Sequence, residues 1–153
     1  MTLQLCSFKI EENLFGINVL LVREINSNLD ITPVDLAPPE VEGLLNLRGQ
    51  IVTVLNMAKV LGLTIKPRGP QSRIIILKTN TELDKYRQEG YELEKTPLDL
   101  VGLLVDSIED MITVEEENQE KIPANLEEIE STKIKSVIQL NQGLVALVNV
   151  EAI

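Results

Sequence analysis

One stretch constrains this chain more than any other: Gly43 to Gly62, GLLNLRGQIVTVLNMAKVLG. It is apolar on both sides of a single polar corner, Asn46-Leu47-Arg48-Gly49-Gln50. Two short apolar runs around a glycine-containing break read as a tight hairpin with Arg48 at its tip. Asn56 is placed to cap a helix of one to two turns carrying Met57, Val60 and Leu61 on one face, and Gly62 to stop it. The only aromatic residues are Phe8, Phe15, Tyr86 and Tyr91, so the core must be built from Leu, Ile and Val. The Val and Ile share of those runs favours strands.

The rest of the chain reads the same way. Thr2 to Ile10 is a first strand whose apolar parity changes between Leu5 and Cys6, which predicts a bulge there. Leu14 to Ile25 reads as a second strand, apolar on both faces, as between two packed layers or inside a barrel. Pro33, Pro38 and Pro39 make residues 31–42 extended or loop-like. Ser72 to Lys78, Leu98 to Val105 and Ile108 to Val114 resume the strand pattern. Lys135 to Leu140 and Leu144 to Val148 form a last hairpin around Asn141-Gln142-Gly143. Thr79 to Pro97 is polar and charged and reads as a surface excursion. Glu115 to Ser131 is acidic and broken by Pro123, so short helical turns are the most it should hold.

The two halves resemble each other. At a shift of 93 residues, Leu44-Leu45-Asn46-Leu47 falls on Val137-Ile138-Gln139-Leu140, and Ile51 to Met57 falls on Leu144 to Val150. At a shift of 86, Phe15-Gly16-Ile17 falls on Val101-Gly102-Leu103, and Val22, Glu24 and Ile25 on Ile108, Asp110 and Met111. The shared order, with the shared glycine and asparagine, points to a duplicated small β unit. The position of Arg48 is held by Asn141 in the second copy. A structural turn residue would be Asn or Gly in both. Arginine in one copy only implies a task for its guanidinium; a solvated turn residue is the competing reading.

Composition narrows the function. A chain of 153 residues is one ordinary domain or two very small ones sharing a core. A net charge of −10 argues against nucleic acid and against docking on anionic lipid. The charge is uneven: residues 39–80 hold six Lys/Arg against two Glu, and residues 109–130 hold nine acids against one Lys. Such polarity either orients a partner or marks two solvated faces. The lone Cys6 excludes an internal disulfide and fits a reducing compartment. No leader pattern and no apolar run approaching about 18 residues is present, so a cytoplasmic protein without membrane insertion is expected. With no histidine the commonest general base and metal ligand is missing, and there is no glycine-rich nucleotide loop or serine elbow. The acid pairs Glu109/Asp110 and Glu115–Glu117 read as a solvated face. No catalytic, cofactor-binding or metal-ligating residue is expected. What remains is a module that works by shape, through loops and strand edges.

At these residues the chain resembles the CheW-like domain of bacterial chemotaxis coupling proteins. The resemblance rests on FGINVLLVREI (Phe15–Ile25), EGLLNLRGQIVTVLNM (Glu42–Met57), SRIIIL (Ser72–Leu77), VGLLVDSIEDM (Val101–Met111) and LVALVNVEAI (Leu144–Ile153). The run Gly43 to Gly49 is the most specific of them. It implies an all-β fold of two packed five-stranded SH3-like barrels with short helical turns. The two units are expected at about 14–80 and 98–153 of a single domain, with the N-terminal strand a candidate for sharing. It implies an adaptor that couples methyl-accepting chemoreceptors, through their cytoplasmic tip, to the regulatory domain of a CheA-type histidine kinase. Such an adaptor has no catalytic step and is recruited to membrane receptor arrays through its partners; other CheW-like domains are further candidate partners. Carried over by position, Glu24 and Arg48 should form an ion pair beside the receptor-binding groove. Val22 and Gly43 fall at positions tied to receptor or kinase binding, and Asn46, Leu47 and Gly49 complete the expected partner-binding run.

The chain also departs from the family pattern. The usual Pro and Asp-Leu after the Arg-Gly are Thr53 and Asn56-Met57 here, and the Thr79–Pro97 excursion is longer. An adaptor of a chemosensory pathway controlling pili, development or gene expression is therefore an alternative. A small-molecule-binding β-barrel is another.

Overall fold

The computed structural model describes residues 2–120, 131–141 and 143–153. The strands are β1 (Thr2–Ile10), β2 (Asn13–Asn18), β3 (Val22–Asn26), β4 (Val41–Leu47), β5 (Gln50–Asn56), β6 (Arg73–Leu77), β7 (Val101–Val105), β8 (Ser107–Glu115), β9 (Gln119–Glu120), β10 (Ile134–Leu140) and β11 (Gly143–Val148). The helices are α1 (Met57–Val60) and α2 (Asn80–Gln88). The strands form two sheets, one of six in the order β8-β1-β2-β11-β10-β9 and one of five in the order β3-β6-β7-β5-β4.

The duplication is written into the register. In the β4–β5 hairpin Leu44 faces Thr53, Leu45 faces Val52 and Leu47 faces Gln50. In β10–β11 the residues 93 positions on make the same pairs: Val137 with Ala146, Ile138 with Val145, Leu140 with Gly143. β5 runs parallel to β7 with Val54 beside Gly102, and β11 runs parallel to β2 with Leu147 beside Gly16. The two glycines meet the same neighbour. A Cβ on Gly102 would lie 3.3 Å from Val52 Cγ1, and one on Gly16 would lie 3.3 Å from Val145 Cγ1. Even the bulges repeat, between Val22 and Glu24 on β3 and at the matching level of β8 against Cys6/Phe8 of β1. The second of these is the irregularity that the apolar parity of the first strand predicts.

Each sheet is thus the same five-strand set. The sixth strand, β9, is a two-residue addition pairing with Val137 and Ile138. Its counterpart in the other sheet is a single bridge from Thr32 to Leu44. The two sheets do not coincide with the segments 14–80 and 98–153. The five-stranded sheet is contiguous from β3 to β7, and the six-stranded sheet joins the chain's two ends.

The core has three parts. Leu45, Val52, Val54, Ile74 and Ile76 pack inside the five-stranded sheet. Leu5, Val114, Ile138, Val145 and Leu147 pack inside the other. A larger cluster containing Phe8, Phe15, Ile17, Met57, Ile75, Leu103 and Val148 draws on both. Strands with a core on each face explain the apolar runs without alternation.

Two local expectations are corrected. Leu14 to Ile25 is not one strand. A 3-10 turn at Val19–Leu21 divides it, capped by Asn18 Oδ1, which accepts from Leu20 N at 3.0 Å. The two pieces then enter different sheets. Thr79 to Pro97 is not a bare loop but carries α2. Thr79 and Glu82 form a reciprocal capping box at its N-terminus, and Leu83 is fully buried. The turn at Asn56–Gly62 forms as the sequence predicts, with Asn56 Oδ1 accepting from Lys59 N at 3.3 Å and Gly62 at φ +74°. Of the acidic stretch, 3-10 turns are seen at Glu116–Asn118 and Ser131–Lys133; Lys121, Pro123 and the turn residue Gln142 lie outside the described residues.

Candidate functional site

The β4–β5 hairpin turns on two residues, Arg48 at φ +49° and Gly49 at φ +86°. Positive φ at both central positions is the turn that matches strand twist, and it favours Asn-Gly. A side chain other than Gly or Asn pays for this conformation in steric strain. Arg48 holds it while its guanidinium is exposed and ion-paired through Nη2 with Glu24 Oε1 on β3. The hydrogen bond from Arg48 to Glu24, reinforced by the carboxylate charge, raises the guanidinium pKa above its ordinary value. β3 and β4 are the opposite edges of the five-stranded sheet, so the pair ties one edge strand to the hairpin at the other. Asn46 Oδ1 accepts from Gly49 N at 3.0 Å and braces the turn from within.

The expected site residues separate into two groups. Glu24, Asn46, Arg48 and Gly49 come together at the hairpin tip, with Asn46, Arg48 and Gly49 exposed and Glu24 half-buried. Leu47 and Gly43 are buried instead. Leu47 belongs to the core inside the five-stranded sheet. Gly43 has φ +153°, and a Cβ there would lie 2.2 Å from the Thr32 carbonyl oxygen. Val22 is partly buried against the large core cluster.

Three residues the sequence reading passed over join the cluster. Arg23, next to Glu24, is ion-paired with Glu82 of α2 through Nη2, and its Nε donates to Glu82 Oε2 at 3.3 Å. Arg23 Nη1 also donates to Gln50 Oε1 at 3.3 Å, at the foot of the hairpin. Neighbouring strand residues normally point to opposite faces. Here both Arg23 and Glu24 reach the hairpin, because the β3 bulge falls between Val22 and Glu24 and re-aims them. Burial alone would raise the Glu82 carboxyl pKa. The Arg23 hydrogen bond, the Thr79 hydrogen bonds and the Arg23 charge outweigh it and leave the group below its ordinary value. The repeat held the signal for these residues. The counterpart of Arg23 is Glu109 and that of Gln50 is Gly143. Glu109 accepts from Ser107 Oγ at 3.1 Å and lies 3.8 Å from Lys9 Nζ.

A second network lies at the other end of β4. Glu42 accepts from Asn56 Nδ2 at 3.2 Å and from Arg68 Nη2 at 2.6 Å. Burial would raise the Glu42 pKa, but the Arg68 and Asn56 hydrogen bonds and the charges of Arg68 and Lys59 pull it below its ordinary value. This explains Asn at position 56: an Asp there would set a second carboxylate against Glu42. The largest cavity, about 560 Å³, is an open polar groove lined by Lys9, Glu11, Lys66 and Asp106 among others. No group of three or more acids, Cys or His is arranged to hold a metal among the described residues. No helix among them is long and apolar enough to cross a membrane.

Fold and site together define an all-β module, duplicated in architecture, whose one distinctive surface is a set of ion pairs around a hairpin present in a single copy. The chain belongs to the CheW-like domain family, which it matches over residues 4–153. A probable chemotaxis protein CheW of Rhizobium etli is 27% identical over 150 residues, covering 98% of this chain and 86% of the relative. The chemotaxis protein CheW of Thermotoga maritima is 27% identical over 150 residues with the same coverage, 98% and 86%. That of Treponema pallidum is 26% identical over 136 residues, covering 89% of this chain and 72% of the relative. The crystal structure of the scaffolding protein TtCheW from Thermoanaerobacter tengcongensis superposes with a TM-score of 0.78 at 23% identity, covering 97% of this chain and 85% of that one, and shares the fold.

Proposed function

We propose that this chain is a chemotaxis adaptor that couples methyl-accepting chemoreceptors to a CheA-type histidine kinase. It acts in the cytoplasm, is recruited to receptor arrays through these partners, and carries out no chemical step of its own. The observation that carries the docking site is the Arg48–Glu24 pair. It occupies one of two otherwise equivalent hairpins, and Arg48 holds a backbone conformation that other residues fill with less strain. The docking surface is the hairpin tip, Asn46, Arg48 and Gly49, with Glu24 and the adjoining Val22 on β3. Leu47 and Gly43 support it from inside. The family relationship supplies the partners, and a surface of ion pairs suits orientation and partner choice more than raw affinity.

The test is a binding measurement with the CheA-type kinase and a chemoreceptor cytoplasmic fragment from the same host. Wild type should bind both. Arg48→Ala should weaken binding by about ten-fold, in the range of a lost interface arginine. Absence of binding to either partner at working concentrations removes the adaptor reading. Unchanged binding by Arg48→Ala returns that residue to a solvated turn.

A further inference from the structure

Arg23 stands at the only point where three separate parts of the five-stranded unit meet through one side chain. It is in the β3 bulge, it grips Glu82 at the N-terminus of α2 through two of its nitrogens, and its remaining arm reaches Gln50 at 3.3 Å. A guanidinium can serve two acceptors in fixed directions at once, which an ammonium cannot do. Its side chain is 25% exposed and that of Glu82 is 35% exposed, so the pair is partly shielded, whereas the Arg48 side chain is 68% exposed. The exposed guanidinium is therefore held at a hairpin whose own foot is fastened by a better-buried one.

The duplication isolates this arrangement from the scaffold. The bulge, the hairpin register and the packed glycine recur in the second unit. Arg23, Gln50 and Arg48 do not, since Glu109, Gly143 and Asn141 replace them together. The β1–β2 connection, which stands where the β6–β7 connection carries α2, is the two-residue turn Glu11-Glu12. The four parts of the cluster are present in one unit and all changed or lacking in the other. Residues needed for the fold of the unit would be needed twice.

We infer that Arg23 is a positioning residue for docking: it fixes the β4–β5 hairpin against β3 and α2, so that Arg48 and Glu24 are presented in one geometry. This rests on the docking surface proposed above. Arg23 itself makes no contact with the partner. Its effect on binding passes through Arg48, and the two are coupled.

The experiment is a double-mutant cycle on binding of the full chain to the kinase and receptor fragments, with Arg23→Ala, Arg48→Ala and both. Arg23→Ala should weaken binding several-fold. The double variant should bind no worse than Arg48→Ala alone, because there is nothing left to position. Arg23→Lys should fall between wild type and Arg23→Ala, keeping the charge but losing the fork. A thermal melt of each variant keeps stability separate from binding. If Arg48→Ala weakens binding while Arg23→Ala does not, or if the two effects multiply, the positioning role is overturned and the docking surface stands. If Arg48→Ala has no effect, the docking surface itself falls and this inference with it.

Discussion

Gly43 sits at a position tied to partner binding, yet it is buried and its geometry predicts a different role. Replace it with alanine. The added Cβ would lie 2.2 Å from the Thr32 carbonyl oxygen and 2.8 Å from Ile31 Cγ2, where real Cβ atoms stay beyond 3.0 Å. The obstacle at 2.2 Å is backbone, so no rotamer relieves it. The Ile31–Thr32 segment must retreat by nearly an ångström. That breaks the pair of hydrogen bonds joining it to β4, Thr32 N to Leu44 O and Leu44 N to Thr32 O, both 2.8 Å. Two backbone hydrogen bonds are worth about 2 kcal/mol net, and a Cβ at positive φ adds about 1 kcal/mol. The stiffer unfolded chain gives back roughly 0.5–1 kcal/mol. Gly43→Ala should therefore cost about 2–3 kcal/mol, a fall in Tm of about 5–10 °C for a chain of this length. Urea unfolding at 25 °C should show a lower midpoint with an unchanged slope. Partner binding, measured well below the transition, should stay within about two-fold of wild type, because a buried backbone position leaves the outer surface in place. Stability within about 0.5 kcal/mol of wild type, the range of an unremarkable substitution, together with lost binding, would refute the reasoning and make Gly43 a contact residue.

Three further outcomes follow from the same geometry. Arg48→Asn gives the hairpin the residue its turn prefers, so the unfolding midpoint should hold or rise while partner binding falls, the exchange of stability against function expected of a strained docking residue. Gly102→Ala should destabilise more than Gly16→Ala: the new Cβ would meet Ile74 Cγ2 at 2.6 Å in the first case and Leu5 Cδ1 at 3.1 Å in the second, and overpacking costs about 1–3 kcal/mol. Glu82 has a folded pKa below its ordinary value, so its contribution is present above the unfolded carboxylate range, about 4.3, and is lost as pH falls through the folded value. Glu82→Gln should flatten that part of the stability–pH profile below about pH 5, and an unchanged profile would remove the Arg23–Glu82 linkage.

Much of the fold was legible because apolar periodicity and the repeat carry long-range information. Matching Leu44–Leu47 to Val137–Leu140 amounts to stating a hairpin register twice. The same matching did not reveal which strands share a sheet, since parallel pairing of β5 with β7 and of β11 with β2 is a tertiary fact with no local signal. The break at Val19–Leu21 was missed because its residues are as apolar as a strand, and only the Asn18 side chain marks the turn. Helix α2 was missed for the opposite reason. Its stretch is polar, with one fully buried residue, Leu83, and its start is signalled by the Thr79-x-x-Glu82 capping box alone. At the site, Arg48 and Glu24 could be paired from the resemblance. Arg23 could not, because its reach toward Gln50 depends on a bulge and its grip on Glu82 on a helix that the sequence hides.

The duplication and the site bear on each other. A duplicated β unit folds if each copy keeps the hairpin register, the tightly packed glycine and the bulge, and both copies do. Residues free of that constraint can diverge without cost to the fold, and divergence is concentrated where the surface is: Arg23/Glu109, Arg48/Asn141 and Gln50/Gly143. In the second unit the hairpin carries a conventional turn residue. In the first it carries a strained arginine whose guanidinium is ion-paired to the opposite sheet edge, and a second arginine behind it. Backbone strain that one copy lacks and the other retains is not needed for folding. It persists where something outside the fold selects for it, and for a module with no acid–base or ligand-holding cluster among its described residues that something is a partner meeting the hairpin tip.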